Sequence, residues 1–399
     1  MPTSERMKIK KKLLSFVLCF AIIFACLLVN EDLPTAISGT SGVYESEEPV
    51  TPPETDFTYR KTPVNNPTKV IITKYLGKET KVIIPETIEG LPVFSIAADA
   101  FYKNEKLTYV KLPSTLSGFS GKAFNLCSSL TEIDIDTDAD TFCVIDGILY
   151  RKDVDEDSDT YGKPISLVCF PAGKGGHFTI PYGIESIGAY AFDGCSSLPT
   201  MDFGEQMTSI GSYAFRNWKS LTSVVIPDSV TGVGDHAFSY CSSLTSVVIG
   251  DSVTSIENSA FFDCDALTSV TIPDSVTLIG SYAFQSCENL INVQLSESIT
   301  SIPKGTFSGC SSLTKIVIPD SVKSIGNGAF SSCKKLTDVS IGNGVETIDD
   351  EAFRICDSLV SIVIPDSVTS IGVRAFCNDE NLTNVSFGTG LKTIDTSAF

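Results

Sequence analysis

Apolar and polar positions alternate in short segments that recur along most of the chain. In residues 221–226, Leu-Thr-Ser-Val-Val-Ile places apolar residues at the first, fourth and sixth positions. A β-branched run of this kind that ends at Pro or Gly predicts a short strand. The Val-Thr-x-Ile that follows predicts a second short extended piece. The next segment, Ala-Phe-x-x-Cys, predicts a helical or 3₁₀ turn that carries an inward Phe.

These segments form one repeat with a fixed period. The Phe of the Ala-Phe dipeptide recurs every 23 residues, apart from one step of 68 residues between Phe124 and Phe192. One unit cannot bury its apolar side alone, whereas stacked units bury a continuous core. We therefore predict a β-rich α/β solenoid of about twelve 23-residue coils over residues 67–399.

The repeat resembles the BspA-type leucine-rich repeat. Leu-x-x-Val-x-Ile matches the first half of the general leucine-rich pattern. Ser then replaces the Asn or Cys of that pattern, and the next aliphatic residue comes one position early, as at Ser229 and Val230. These departures, with the Ile-Pro-x-Ser-Val and Ala-Phe-x-x-Cys blocks, are typical of the BspA type. The resemblance covers residues 67–399 and implies a leucine-rich-repeat solenoid that functions in adhesion or host-protein binding at a bacterial surface.

The 68-residue step marks an irregular region, residues 125–191. It contains Asp-Gly-Ile-Leu-Tyr at 146–150 and Ile-Pro-Tyr-Gly-Ile at 180–184. We interpret this region as modified coils with an acidic loop near residues 151–163. A separate inserted domain is the alternative.

A second period, of about 46 residues, overlies the first. The residue after the strand is Pro in every second coil and Gly or Ser in the coils between. The prolines are Pro227, Pro273, Pro319 and Pro365. The longer unit is therefore a pair of coils, and we expect the chemistry along one rim of the solenoid to alternate.

Residues 1–30 have the layout of an export signal. A basic cluster at residues 6–12 precedes an uncharged, mostly apolar run at residues 13–29. Three interpretations are open: a cleaved signal peptide, an uncleaved membrane anchor and a lipid-modified Cys26. Each places the rest of the chain outside the cytoplasm, secreted or attached to the cell surface. Residues 31–66 are rich in acids, Pro, Ser and Thr and are predicted to form an extended, solvated tether.

Charge and histidine content further limit the classes of function that the chain can have. The chain has 48 acidic residues, 29 basic residues and two His, with a net charge of −19. Such a chain repels nucleic acid, so we expect an extracellular or host protein as partner and membrane contact only through the N-terminal segment. We find no nucleophile–base pair, and predict no enzymatic activity, cofactor or metal. His236 occupies the position of Tyr190 and Tyr213 in sister coils, which indicates a rim position.

Most of the 13 Cys follow the repeat. Eight of them stand three positions after the repeated Phe. They are Cys127, Cys195, Cys241, Cys264, Cys287, Cys310, Cys333 and Cys356. Buried free thiols are one interpretation, and disulfides, which export permits, are the other. Cys143 and Cys169 do not follow the repeat, and a disulfide between them across the irregular region is a further interpretation.

Two acidic stretches, at residues 134–140 and 153–159, are compatible with calcium, which prefers oxygen ligands. The EF-hand pattern fails because, counted from Asp153, Ser158 replaces the required Gly and Pro164 replaces the final Glu. An ordinary solvated face is the alternative interpretation.

The outward positions of the strands form the candidate partner surface. They are Ser223, Val225, Ser246, Val248, Ser269, Thr271, Asn292, Gln294, Lys315, Val317, Asp338, Ser340, Ser361 and Val363. These residues form either a solvated β-ladder or an extended contact surface for a protein partner. Because Tyr, Trp and Arg are absent among them, affinity would come from area or multivalency.

We therefore predict an exported, non-enzymatic cell-surface protein that functions in adhesion or protein binding. A wall-associated structural spacer without a specific ligand is one alternative. A glycan-binding module is the other, although the strand face lacks the aromatic platform that such a module would need.

Overall fold

A computed structural model describes residues 48–399, which form one compact unit. The predicted solenoid is confirmed, because each regular coil contributes one short strand to each of two rows of parallel strands and then makes a turn. No helix between residues 48 and 399 combines the length and apolar character that a membrane crossing requires. The predicted export signal, residues 1–30, and residues 31–47 of the predicted tether lie outside the described residues.

The described chain begins with a 3₁₀ helix, Glu54–Asp56, and eight strands. The strands are β1 Phe57–Thr62, β2 Lys69–Tyr75, β3 Lys81–Ile83, β4 Thr87–Ile88, β5 Leu91–Ile96, β6 Tyr109–Leu112, β7 Gly118–Phe119 and β8 Glu132–Ile135. β3, β6 and β8 pair in parallel in the first sheet. β2, β5 and β7 pair in parallel in the second sheet.

Strand β1 corrects the tether prediction. It pairs antiparallel with β2, and the ring of Phe57 packs 5.2 Å from that of Tyr75. Val50 adds an isolated parallel bridge to Val82. β1 thereby covers the backbone groups of β2 that an open sheet edge would expose. The folded unit therefore includes residues 57–62, which the sequence analysis assigned to an extended segment.

The remaining strands follow in chain order. They are β9 Phe142–Ile145, β10 Ile148–Lys152, β11 Pro164–Cys169, β12 Phe178–Thr179, β13 Ser186–Ile187, β14 Met201–Asp202, β15 Ser209–Ile210, β16 Ser223–Val225, β17 Gly232–Val233, β18 Ser246–Val248, β19 Ser255–Ile256, β20 Ser269–Thr271, β21 Leu278–Ile279, β22 Asn292–Gln294, β23 Ser301–Ile302, β24 Lys315–Val317, β25 Ser324–Ile325, β26 Asp338–Ser340, β27 Thr347–Ile348, β28 Ser361–Ile364, β29 Ser370–Ile371, β30 Asn384–Phe387 and β31 Thr393–Ile394. From β12 onward, the even-numbered strands pair in three sheets, β12–β14, β16–β26 and β28–β30. The odd-numbered strands pair in two sheets, one from β13 to β21 that continues from β9, β10 and β11, and one from β23 to β31.

Columns of identical apolar residues build the interior. The rings of the repeated Phe, from Phe192 to Phe399, stack with centroids 4.9–5.5 Å apart. Backbone bonds follow the same column, since the Phe238 N–H donates to the Ala260 carbonyl of the next coil at 2.7 Å. Burial of one such Phe contributes roughly 2–3 kcal/mol. The stacked rings therefore make the core continuous from coil to coil.

The Ala-Phe segment is a hydrogen-bonded turn rather than a helix. In most coils the residues two before and two after the Phe have left-handed backbone, as do Tyr213 (φ 60°) and Asn217 (φ 58°) around Phe215. A left-handed residue interrupts a right-handed helix. Between residues 57 and 399 the structure accordingly contains strands and turns but no helix. The helical or 3₁₀ part of the predicted coil is thus replaced by this turn.

The alternation between neighbouring coils has a structural basis in the segment that directly follows each even-numbered strand. Asp228, which follows Pro227, accepts the backbone N–H of Asp251 in the next coil at 2.8 Å. In that next coil Gly250 passes so close to Pro227 that a Cβ on Gly250 would lie 2.4 Å from the Pro227 carbonyl oxygen. A Pro-Asp coil and a Gly coil therefore fit each other, which explains the alternation in the sequence.

Two hydrophobic cores meet at the irregular region. The N-terminal core consists of buried side chains within residues 57–169, and the C-terminal core of buried side chains within residues 148–398. β9, β10 and β11 form an antiparallel meander, and β11 then pairs in parallel with β13. On β10, Leu149 packs in the N-terminal core, while Ile148 and Tyr150 pack in the C-terminal core. The meander is therefore a two-sided wall between the cores.

Candidate functional site

The even-numbered strands from β16 to β28 carry the predicted partner surface on their solvent side. In β16 the flanking residues Ser223 and Val225 point outward and are exposed, whereas the central Val224 is buried. The same alternation places all fourteen predicted residues on one face, which we call the strand face, and all fourteen are solvent-exposed. The face is formed by β16 to β28 of the even-numbered strands. Its geometry is set by the period of two along each strand and by the parallel register between coils.

Four exposed valines give the strand face its apolar part. Val225 and Val248 are cross-strand partners and are 60% and 56% exposed. Val317 and Val363 are 50% and 65% exposed and stand opposite serines in the next coil. The apolar area is therefore divided into small patches, and its largest continuous part lies on β16 and β18.

One ion pair crosses the strand face. Lys315 on β24 stands opposite Asp338 on β26, and the Lys315 Nζ lies 3.0 Å from an Asp338 Oδ. Both side chains are more than half exposed, so the pair contributes little to stability. It does neutralise the only two charges among the fourteen predicted residues.

A row of acidic residues borders the strand face, three positions after the outward Val or its equivalent in six of the seven coils. The row, which we call the acidic rim, is Asp228, Asp251, Asp274, Glu297, Asp320 and Asp366, all exposed. None of these carboxylates forms an ion pair with another residue between 48 and 399. Asp366 accepts the backbone N–H and the hydroxyl of Thr389, and these two bonds hold the pKa of Asp366 below its usual value. The rim therefore stays negatively charged beside the valines.

Two N-terminal strands, in a sheet separate from the strand face, carry outward residues at the same repeat positions, and the sequence analysis did not assign them. On β6 and β8 the equivalent outward residues are Tyr109, Lys111, Glu132 and Asp134. The Tyr109 hydroxyl donates to Asp134 at 3.0 Å, and burial together with this carboxylate raises the pKa of Tyr109. The signal was available, because residues 107–112 repeat the Leu-x-x-Val-x-Leu pattern. These coils present larger and more polar side chains than the regular coils.

The eight cysteines that stand three positions after the repeated Phe, which we call the thiol column, are free thiols and do not form disulfides. All cysteines between residues 48 and 399 are free. Seven of the column thiols donate to the carbonyl of the Phe 26 residues earlier, at 3.1–3.4 Å, as Cys264 does to Phe238. Burial raises the pKa of the Cys241 and Cys287 thiols to about 12, so they remain protonated donors. The thiols therefore act as buried hydrogen-bond donors between coils.

The interpretation that Cys143 and Cys169 form a disulfide is wrong. Cys143 lies on β9 and Cys169 on β11, and the strand β10 runs between them. Cys143 stands opposite Tyr150, and Cys169 stands opposite Leu149. Since the two cysteines belong to strands that are not neighbours, both thiols are free.

Three aromatic side chains stack on one another at the Ala-Phe turns of successive coils. The rings of Tyr190, Tyr213 and His236 stack at 4.7 Å spacing, with nearly parallel planes. Arg216 lies against the two tyrosines and donates two hydrogen bonds to the buried carboxylate of Asp193. Burial lowers the pKa of His236. The rim position assigned to His236 from the sequence is thus part of a stack between coils.

The acidic stretches do not converge on a common point. Between residues 48 and 399, no group of three or more His, Cys, Asp or Glu side chains is arranged to hold a metal ion. Asp153 instead accepts hydrogen bonds from the Asp155 N–H and the Thr160 hydroxyl within its own loop. The loop therefore uses its carboxylates for local turns.

Comparison with other proteins agrees with this architecture. The family model described as BspA type leucine rich repeat region matches residues 75–143, 163–291 and 277–399, in 6 copies. A leucine-rich repeat protein from Bacteroides ovatus is 27% identical, with a TM-score of 0.54 and coverage of 86% of this chain and 90% of that chain. A leucine rich cell surface protein from Faecalibacterium prausnitzii is 28% identical, with a TM-score of 0.43 and coverage of 86% and 96%. No curated protein matches significantly. With most of its length matched by the family model, the chain belongs to the BspA type leucine rich repeat family.

Proposed function

We propose that this chain is an exported, non-enzymatic surface protein that binds an extracellular protein partner through the strand face. The observation that carries the proposal is the strand face itself, in which fourteen outward side chains lie in register on parallel strands. Repeat proteins use extended surfaces of this kind for protein binding. Because hydrogen bonds between coils hold the backbone of this face in place, binding costs little backbone ordering entropy.

The negative charge of the acidic rim indicates the kind of partner surface that would bind. The acidic rim runs beside Val225 and Val248, and its carboxylates have no basic partner within residues 48–399. A partner with exposed apolar side chains and a row of Lys or Arg would match both features. Association would then be steered electrostatically and would weaken as salt screens the rim, with a Debye length of about 10 Å at 0.1 M.

Export and adhesion are part of the same proposal. The basic and then apolar order of residues 1–30 supports export, and family membership supports a role at the cell surface. The rings of Tyr190, Tyr213 and His236 cover one another's facing surfaces, so those surfaces are not free to stack on a glycan. A protein partner is therefore the favoured class.

A binding panel tests the proposal. Residues 31–399, which contain the whole compact unit, are tested against extracellular-matrix proteins, mucin and isolated cell wall at about 0.15 M salt, where the Debye length is near 8 Å. We expect saturable binding to a protein that is lost when Val225, Val248 and Val317 are changed together to Asp.

A matched control separates surface chemistry from added charge. The control changes Val154, Tyr161 and Leu278 to Asp, which adds the same three negative charges at exposed positions away from the strand face. We expect the control to bind normally. Equal loss in both variants, or binding to cell wall alone, would contradict the proposal and favour the spacer. Binding to mucin that disappears after removal of its glycans would favour a glycan-binding module.

A further inference from the structure

Asp379 occupies the thiol column of the coil that contains Phe376. It stands three positions after that Phe, where seven other coils have a thiol that donates to a Phe carbonyl of the preceding coil. The carbonyl 26 residues before Asp379 belongs to Phe353. An ionised carboxylate has no hydrogen to donate, so only a protonated Asp379 can reproduce the bond of the thiol.

The surroundings of Asp379 favour the neutral carboxyl. The residue is 9% exposed, and one carboxyl oxygen accepts the backbone N–H of Cys356 at 2.7 Å. The other oxygen, Oδ2, is buried and has no hydrogen-bond partner within residues 48–399. An unpartnered buried oxygen is costly, and a buried negative charge on it is more so. A proton on Oδ2 would convert it into a donor.

The charged groups near Asp379 also oppose its ionisation. Asp357, on the preceding coil, adds a second negative charge, and Glu380 lies beside it in the chain and lines the same cavity. The neighbouring Cys356 thiol is neutral, because burial raises its pKa well above the usual value. Burial, aided by Asp357 and opposed by the Cys356 N–H, raises the pKa of Asp379 to about 7.

We propose that Asp379 is a pH-dependent latch between the coils that contain Phe353 and Phe376. The protonated carboxyl holds the coil of Phe376 against the preceding coil, and ionisation weakens that contact. The same coil supplies β28, whose Ser361 and Val363 belong to the strand face. The latch therefore controls how far the strand face stays ordered.

The direction of the pH effect follows from linkage. Asp379 binds its proton more tightly in the closed coil than in the open one, where its pKa is near the ordinary value of about 3.9. The contribution of Asp379 to the stability of the closed coil is fully present below about pH 4 and is lost as pH rises through about 7. Well above pH 7 this contribution is constant, because the carboxyl is ionised in both states.

Hydrogen exchange of residues 31–399 tests the latch. The amides of Thr369 and Gly372 in the coil of Phe376 bond to the coil of Phe353 at 2.9 and 2.8 Å and report the opening of this contact. After correction for intrinsic exchange, we expect their protection factors to fall roughly tenfold or more between pH 5 and pH 7. Asp379→Cys restores the residue of the repeat and should abolish this fall, as should Asp379→Asn. Glu380→Gln should keep it.

Two results would overturn the latch: constant protection in the unmodified chain, or an unchanged pH dependence in Asp379→Cys. If either Asp379 variant fails to fold, a direct titration of the unmodified protein decides the matter. The ¹³C shift of the Asp379 carboxyl, followed by NMR, should then show a midpoint near pH 7. A midpoint near 4 would contradict the proposal.

Discussion

The regular coils of residues 192–399 and the irregular region of residues 125–191 both bury apolar side chains between neighbouring strands, but they arrange the strands differently. In the regular coils each Phe stacks on the next, as Phe261 does on Phe284 at 5.2 Å, and parallel strands repeat in register. In the irregular region Phe170 stacks on Phe192 at 4.8 Å, but the strands before it run antiparallel. The regular coils share one core, whereas the irregular region separates two. Exact repetition makes cores continuous, and a break in repetition makes a boundary.

The largest expected effect concerns the aromatic stack. Phe284→Ala removes a fully buried ring from the middle of the regular coils and should lower the free energy of unfolding by about 3–5 kcal/mol. Phe178→Ala is the counterpart in the irregular region, and since Phe178 is only partly buried its cost should be clearly smaller. Urea unfolding followed by circular dichroism measures both. Equal losses would remove the distinction between the two regions.

Close approach of backbones between coils gives the next largest effect. A Cβ on Gly280 would lie 2.3 Å from the Asn258 nitrogen of the preceding coil, so Gly280→Ala should destabilise by about 1–3 kcal/mol. In the irregular region a Cβ on Gly175 would meet Ser197 at an ordinary 3.6 Å. Gly175→Ala should therefore be nearly neutral in the same unfolding measurement. A neutral Gly280→Ala would show that the coils can separate at no cost.

The thiol column predicts a smaller effect. Cys264→Ala removes the donor to the Phe238 carbonyl and should cost about 1–2 kcal/mol, since that carbonyl loses a buried partner. Cys143 is only half-buried, so Cys143→Ala should cost less. Thermal unfolding of the two variants under reducing conditions compares them. A larger loss at Cys143 would contradict the role assigned to the column.

The solenoid and its exposed face could be predicted because both depend on simple periods. The step of 23 residues stacks equivalent residues, and the alternation at Ser223, Val224 and Val225 separates outside from inside. The turn conformation was not predictable in this way. Its left-handed positions hold Tyr213, Ser259 and other types that carry no common signal, and the stacking of neighbouring coils imposes the conformation.

The β9–β10 hairpin and strand β1 had sequence signals, but the composition of the neighbouring residues made them hard to recognise. Asp146-Gly147 is a dipeptide that favours tight hairpins, and it joins β9 to β10. Phe57 and Tyr59 alternate with polar residues, which is a strand pattern, but the acidic and Pro-rich residues before them favoured an extended segment. The sequence shows Asp379 as a departure from the column of cysteines, but its buried hydrogen bond with Cys356 depends on contacts between two coils, which no local pattern could reveal.

The central structural claim is that the meander separates two cores, and hydrogen exchange of Phe284→Ala tests it most directly. Phe284 belongs to the C-terminal core. We expect the amides of β18, β20 and β22 to lose protection in this variant, while those of β2, β6 and β8 in the N-terminal core keep the protection of the unmodified protein. An equal loss of protection in both sets of strands would contradict the claim and show that the wall transmits unfolding from one core to the other.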